Sequence, residues 1–410
     1  MKILLSAFAC SPFTGSEGGV GWRYAVELGE NHQVVVITDV TRRAAIEDAL
    51  VKSRVHNVNF VYYRPCWLKR VPLNSYTAKL LFTAWQFSLL PFAQKLQRQY
   101  SFDVAWHLTY GVYRTPSFLG YLSIPFVFGP VGGGEDAPLK LKKSIHGREK
   151  VKELLRTLAN KFATFNPLLF MALRKADAIF VRTNQTKNAL PWPFRSETIT
   201  IQEIGIEPHG LLTASTDRRT QGKPIEILFA GRLEGWKGVH LAIMAVAAAC
   251  KRGINIRFNI VGTGPFESAL KLLVMEQNIS EQVVWVSKVP QRKLFEIYKH
   301  QHLFLFPSLH DSGGNVVLEA QSFGLPVICL DLGGPATLVD ESSAVIIETG
   351  GKTEKEVVSS LADAIQLLAN NEEKRLQLAT GALRKAASQT WSARINQIAG
   401  LVEETVIKSQ

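Results

Sequence analysis

The chain has 410 residues, 46% of them hydrophobic and 20% charged, the balance of a globular protein rather than a disordered or fibrous one. At roughly 100–200 residues per domain, this length suits two domains, each able to bury its own core. A net charge of +12 points to an anionic partner (nucleic acid, an anionic membrane surface or a phosphorylated small molecule) without choosing among them. The four cysteines, Cys10, Cys66, Cys250 and Cys329, are scattered and form no Cys-x-x-Cys pair, which argues against a disulfide framework or a structural zinc site.

At the start, a single Lys2 precedes an apolar run of only about seven residues, short for a secretory leader, so a buried first strand is expected. No run reaches about 18 apolar residues, so no transmembrane helix is expected. Strand patterns follow at Lys2–Phe8, Val34–Asp39, Asn59–Arg64, Asp103–Thr109, Pro125–Phe128, Ala178–Arg182 and Thr198–Ile204. Helical patterns lie between them, as at Gly19–Leu28 and Arg42–Ser53. The pattern stops where Pro208, Gly210, Gly222 and Pro224 enclose a polar stretch, the expected interdomain linker at residues 208–223. A second block then places strands at Ile225–Ala230, Ile256–Val261, Val283–Val286, Leu303–Phe306, Val327–Leu330 and Ala344–Ile347, with two or three helices from Thr353 onward. Strands alternating with helices predict two doubly wound α/β domains. The expected division is 1–207, the linker 208–223, 224–388, and a C-terminal helix in 389–410 that packs back on the first domain. In such folds ligands lie at the carboxyl ends of the strands.

Two stretches of the first block stand apart. Tyr76–Tyr100 is a long apolar and aromatic helical pattern. Leu139–Arg156 holds seven Lys or Arg against Glu149 and Glu153, with Phe162, Phe165, Leu168, Leu169 and Phe170 soon after. These read either as a buried helix and a solvated helix face, or as a surface that meets anionic lipid through residues 139–175.

The stretch richest in chemistry runs from Phe306 to Ala320. A strand ends at Pro307, a glycine-rich turn follows, and a helix opens near Gly314 and stops at Gly324. Its first N–H groups, at Asn315, Val316 and Val317, and the helix dipole favour a phosphate. Glu319 shares a helix face with Asn315 and suits a ribose diol. Asp311, in the preceding turn, can accept hydrogen bonds from sugar hydroxyls. On the plainer reading, Asp311 and Ser312 simply cap the helix and Glu319 is solvent-exposed. After the first strand of the second block, Gly231-Arg232-Leu233-Glu234-Gly235-Trp236-Lys237-Gly238 offers two cations to clamp a diphosphate, or two solvated basic side chains. Gly262-Thr263-Gly264 is a fragment of a dinucleotide fingerprint, and no Gly-x-x-x-x-Gly-Lys-[Ser/Thr] phosphate loop is present. In the first block, Gly18 and Gly19 follow the first strand, His107 ends the fourth, and Gly132-Gly133-Gly134-Glu135 follows the fifth. His107 reads as a site residue or as a hydrogen-bonded core histidine.

In order and at strand ends, these motifs resemble the retaining nucleotide-sugar glycosyltransferases of GT-B architecture, the family 4-like group 1 enzymes with two facing Rossmann-like domains and a cleft between them. The resemblance implies that Arg232 and Lys237 bind the donor diphosphate, with Gly262 and Gly314 in the donor-binding loops. It assigns the amides of Val316 and Val317 to phosphate, Glu319 to the ribose, and Gly18 and Gly19 to closure over the donor. Asp311 would orient the transferred sugar. The first acid of the spaced pair is usually Glu and is Asp311 here. The histidine many relatives carry after the fifth strand is replaced by Gly129–Glu135, which passes its role to His107 first, then to Glu135 or backbone amides. The resemblance further implies a UDP- or GDP-sugar as co-substrate, no other cofactor and no metal. It implies a glycan or lipid-linked acceptor of cell-surface polysaccharide or glycolipid synthesis, and a cytoplasmic place, at the inner face of the membrane if lipid is met. Nucleic acid is not expected as a partner, since no zinc finger or aromatic-basic interleaving is present. The competing readings are an epimerase or phosphorylase on the same fold, and a basic membrane- or nucleic-acid-binding protein.

Overall fold

The structure, a computed structural model, describes residues 1–12, 15–53, 55–74, 77–145, 147–207 and 223–409. In chain order the first elements are β1 (Lys2–Ser6), α1 (Ser16–Gly29), β2 (Gln33–Asp39), α2 (Arg43–Lys52), β3 (Val58–Tyr63), α3 (Ala78–Tyr100), β4 (Val104–His107), β5 (Phe126–Val131), α4 (Gly147–Ala163), α5 (Pro167–Leu173), β6 (Ala178–Val181), α6 (Asn184–Ala189) and β7 (Ile199–Thr200). The second series is β8 (Ile225–Ala230), α7 (Val239–Lys251), β9 (Ile256–Val261), α8 (Glu267–Glu276), β10 (Val283–Val286), α9 (Gln291–Tyr298), β11 (Leu303–Phe306), α10 (Asn315–Ser322), β12 (Val327–Leu330), α11 (Gly333–Leu338), β13 (Ala344–Ile347), α12 (Glu354–Asn370), α13 (Glu372–Ala387) and α14 (Trp391–Ser409).

The strands form two parallel sheets. The first runs β3-β2-β1-β4-β5-β6-β7 and the second β10-β9-β8-β11-β12-β13. Both reverse direction of strand order beside their first strand, between β1 and β4 and between β8 and β11. That switch point is where doubly wound sheets open a crevice. Of the central strands, β11 is wholly apolar and buried, and β1 and β8 are so apart from Lys2, Ser6 and Glu226, as parallel strands covered on both faces require. The described chain separates into two compact units: Met1–Gly134 with Ala159–Ile204 and Trp391–Gln410, and Glu135–Leu158 with Gly205–Thr390. The expected first domain, 1–207, therefore differs in one segment. Residues 135–158 cluster with the second unit, because Ile145, Glu149 and Glu153 pack on its loops at Gly235 and His310. The expected linker, 208–223, lies outside the described residues except for Lys223.

In the first unit, α3 turns Leu81, Phe82, Trp85, Leu89, Ala93 and Leu96 into the core, beside Phe8, Phe126 and Phe128. The Trp85 Nε1–H donates to the Tyr63 carbonyl at 3.1 Å and the Trp106 Nε1–H to that of Gly129 at 2.7 Å, so neither indole leaves a buried donor unpaired. α14 packs on α1. The helix expected over 139–156 starts only at Gly147, after Pro138 and a short 3₁₀ turn at Leu139–Leu141, and runs on to Ala163. β7 is much shorter than the pattern at 198–204 predicts, because only Ile199 and Thr200 pair with β6. In the second unit α7 is apolar nearly all round and lies against α12 and the sheet. α12 opens on a capping box between Thr353 and Glu356.

One buried ion pair fixes the end of β2. Arg64 Nε and Nη2 donate to the two Asp39 carboxylate oxygens at 2.8 and 2.6 Å, and Arg64 Nη1 donates to the Val71 carbonyl at 2.7 Å. Asp39→Ala strands the guanidinium without its counter-charge. Urea denaturation is expected to show a loss of about 3–5 kcal/mol, and the D39A/R64M double variant a smaller one.

Candidate functional site

In the second unit, the loops after β8 and β11 meet at the switch point. The β8 loop makes one 3₁₀ turn at Gly235–Lys237, then enters α7 through Gly238 at φ +71°. A Cβ on Gly238 would lie 1.8 Å from the Pro307 carbonyl oxygen, so only glycine lets the two loops come this close. Gly262, after β9, makes a similar approach, with the Gly231 carbonyl oxygen 1.9 Å from where its Cβ would be. The Leu309 N–H donates to the Trp236 carbonyl at 2.8 Å and ties the β11 loop to the β8 loop.

This joining brings Lys237 to Asp311. The ammonium pairs with the Asp311 carboxylate and lies over the Trp236 ring, 4.3 Å from its centroid. The Asp311 carbonyl accepts from the Gly334 N–H at 2.6 Å, which pins the backbone at the same residue. Arg232 behaves differently. Its side chain is 75% exposed and its Nη2 sits 2.8 Å from Glu234, a carboxylate that also accepts from Trp236 Nε1. The two expected diphosphate cations therefore lie on one loop, one held and one out in solvent.

α10 opens at Gly314, whose φ of +95° makes it the N-cap with no side-chain cap bond. Among the described residues the Asn315 and Val316 N–H groups have no hydrogen-bond partner. The Val317 N–H has one, the Gly314 carbonyl at 2.8 Å, so the expectation of three free amides is corrected to two. Glu319 lies one turn on, largely buried. Its carboxylate accepts from Gln291 Nε2 at 2.7 Å and from the Tyr298 hydroxyl at 3.4 Å. Burial pushes its pKa above the usual carboxylate range, against the lowering effect of those two bonds. Burial, with Glu319 beside it, likewise holds the Tyr298 hydroxyl well above its ordinary value.

Glu135 belongs to this unit and is fully buried. It accepts from the Ser312 hydroxyl at 2.7 Å, with Arg156 Nη2 at 4.0 Å. Further along the same segment, Glu153 Oε1 is 2.7 Å from His310 Nε2, and the His310 ring stacks on Trp236 at 4.8 Å and 18°. Trp236, His310, Glu153, Gln291 and Tyr298 are the participants the motif spacing did not single out. Trp236 and His310 adjoin Lys237 and Asp311 in sequence, which is a usable signal. Glu153, Gln291 and Tyr298 reach the cluster only through the fold.

The remaining expected residues lie in the first unit. Gly18 and Gly19 are inside the first turns of α1, and the Ser11 N–H donates to the Gly18 carbonyl at 2.9 Å. Beside them Glu17 accepts from the Tyr110 N–H at 2.8 Å and pairs with Arg182 at 2.9 Å. His107 is corrected as a catalytic candidate. Its ring is 1% exposed, its Nδ1 is 3.1 Å from Gln86 Nε2, and it stacks on Phe128 at 5.3 Å. Burial pushes its pKa down to about 3, so it is a neutral core imidazole. Among the described residues no group of three or more His, Cys, Asp and Glu is arranged to hold a metal ion, and no helix is long and apolar enough to cross a membrane.

Comparison with known proteins bears on this geometry. Residues 214–385 match the family model described as glycosyl transferases group 1. The D-inositol 3-phosphate glycosyltransferase of Corynebacterium efficiens is 28% identical over 209 residues, 47% of this chain and 48% of the relative. That of Nocardia farcinica is 31% identical over 179 residues, 42% of this chain and 38% of the relative. The chain thus spans about half or less of the length of these relatives. Among solved structures, sucrose-phosphate synthase from Thermosynechococcus elongatus superposes with a TM-score of 0.65 at 16% identity, over 100% of both chains. Anabaena HepE in complex with UDP superposes at 0.63 and 16%, over 98% of this chain and 99% of that one. Residues 214–385 thus resemble the glycosyl transferases group 1 family, and the two parallel sheets have the Rossmann-like two-domain GT-B fold.

Proposed function

We propose that this chain is a retaining glycosyltransferase that moves a sugar from a UDP- or GDP-sugar to a glycan or lipid-linked acceptor, in the synthesis of cell-surface polysaccharide or glycolipid. The observation that carries this reading is the Lys237–Asp311 pair, set between the loop after β8 and the start of α10, with two unpaired N–H groups one turn away. The arrangement suits an anion that carries a sugar. Arg232 swings in from solvent and, with Lys237, takes the diphosphate. The Asn315 and Val316 amides and the α10 dipole hold the charge that develops on the leaving group, as preorganised electrostatics requires. Once Lys237 turns to phosphate, Asp311 is freed to accept from sugar hydroxyls. Glu319 exchanges its Gln291 bond for the ribose diol. The acceptor hydroxyl attacks from the face the diphosphate leaves, through an oxocarbenium-like state, and the departing phosphate oxygen receives its proton. These side-chain cations do the work a metal ion does elsewhere. The relatives named D-inositol 3-phosphate glycosyltransferase and the UDP complex of HepE support the sugar-transfer chemistry and the nucleotide.

An anionic membrane is the proposed second partner, at the inner face of the cytoplasmic membrane, met through residues 139–175. α4 presents Val151, Leu154, Leu155, Leu158 and Phe162 at helical spacing and all exposed, and Phe165 follows at 82% exposure. Lys140, Lys143, Lys150, Lys152 and Lys161 lie in the same stretch. An apolar stripe edged with lysines is the composition of an interfacial helix.

Three outcomes are expected. Lys237→Ala lowers transfer from a radiolabelled nucleotide sugar by roughly 10²–10³-fold. Unchanged rates in K237A and E319A together would sink the site assignment. Glu319→Gln weakens donor binding, yet melts above the parent at pH 7. The folded protein holds the Glu319 proton more tightly than the unfolded chain, so ionising it costs stability. That cost is absent below the ordinary value of 4.5 and grows as pH rises through it toward the raised one, so the difference in melting temperature closes as pH falls to that value. Leu155→Glu with Phe162→Glu reduces co-sedimentation with phosphatidylglycerol vesicles, and each neighbouring lysine contributes about 1 kcal/mol to that binding. Equal binding of parent and variant at low and high salt would remove the membrane from the reading.

A further inference from the structure

Asp311 lies in an irregular loop, Pro307–Gly314, between the end of β11 and the start of α10. Its side chain has two rotatable bonds, so its reach is set by where the backbone stands. Both of its sequence neighbours are tied to the segment 135–158. His310 Nε2 lies 2.7 Å from Glu153 Oε1, and the Ser312 hydroxyl donates to Glu135 at 2.7 Å. Two rungs join this loop to the loop after β8, the His310 stack on Trp236 and the Asp311 ion pair with Lys237. Glu153 braces the outer rung. It is in turn held by Lys142, whose Nζ is 3.3 Å from its second oxygen and also pairs with Asp136.

We propose that Glu153 is a positioning residue of the sugar-transfer site, one that fixes the Asp311 loop through His310. The inference rests on the reading of Asp311 as the group that orients the sugar. Three features carry it. The Glu153 and His310 side chains are 8% and 6% exposed, so their contact is not diluted by water. The imidazole is clamped on two sides, by a carboxylate at its edge and an indole at its face, which leaves it one orientation. The backbone that follows it leads directly to Asp311. Burial alone would raise the Glu153 pKa, but the His310 hydrogen bond and the charges of His310, Lys142 and Arg156 outweigh it and lower it, consistent with a carboxylate that stays ionised in place. A carboxylate on a segment with no family motif thus sets the geometry of one inside the motif.

The test uses the full chain and the nucleotide sugar that the parent consumes fastest. Glu153→Ala is expected to lower kcat by roughly 10²-fold, as a small displacement of an orienting group does. Its donor KM stays within about threefold, because the diphosphate contacts are untouched. Glu153→Gln keeps an acceptor for Nε2 and restores most of the lost kcat. The E153A/H310A double variant is no slower than H310A, since both remove one interaction. Hydrogen exchange of the peptide covering residues 307–317 quickens in E153A while the remaining peptides hold. If E153A does not fold, Glu153→Asp, which withdraws the carboxylate by one methylene, carries the same expectations. The proposal is overturned by an unchanged kcat, by a KM that rises as far as kcat falls, by multiplying effects of E153A and H310A, or by unchanged exchange at 307–317. A parent that transfers from no nucleotide sugar would defeat the functional reading alone, and the exchange measurement would still decide for or against the brace.

Discussion

The contact between the Lys237 ammonium and the Asp311 carboxylate is the hinge of the second unit's chemistry. It joins an irregular loop to one that makes a single 3₁₀ turn, and it does so beside a turn that only Gly238 permits, under the Pro307 carbonyl. Everything proposed for the site depends on that closeness. A lysine a few ångströms further out would be a solvated cation, and Asp311 would keep only the Gly313 N–H at 3.4 Å. The loops are brought to this point by strand order. Because β8 and β11 are neighbours while the chain leaves them toward opposite edges of the sheet, a crevice opens between the two loops, where doubly wound sheets bind ligands.

The two units solve the same topological problem with different side chains. Both sheets reverse at the first strand, and both place polar residues there. In the second unit the cations Lys237 and Arg232 pair with Asp311 and Glu234 beside the start of a helix. In the first, Glu17 pairs with Arg182, Arg182 with Glu203 at 2.9 Å, and the Tyr24 hydroxyl donates to the Glu203 carbonyl at 3.2 Å. His107 shows how burial decides chemistry at such a position. It ends a central strand, where a catalytic group would be well placed, yet its ring turns toward Gln86 and the Phe128 face and its proton affinity collapses.

Much of the fold was legible. All six strands of the second sheet stand at the bounds their β-rich runs predict, even where Glu226 interrupts β8 and Arg257 and Asn259 interrupt β9. The edges were harder. β7 pairs on one side only, and the pattern overran it. α4 starts eight residues later than its basic stretch suggested, since Pro138 and a 3₁₀ turn intervene. For the site, the local half was readable: glycine-flanked cations after a strand, and an acid before a helix start. The long-range half was not. Glu153 and His310 are 157 positions apart, Gln291 and Glu319 are 28 apart, and nothing in either motif announces the other. The Val317 amide was misread for a smaller reason. The first turn of α10 tightens to a bond between residues three apart, which the sequence does not encode.

Arg232 bound to Glu234 and Lys237 bound to Asp311 mean that each cation of the site already has its own anion. On the proposed reading, a donor that takes them exchanges both pairs, the Arg232 pair standing largely in solvent and the Lys237 pair mostly buried. A pyrophosphate linkage would meet in one ligand the two exchanges that a lone orthophosphate meets only singly.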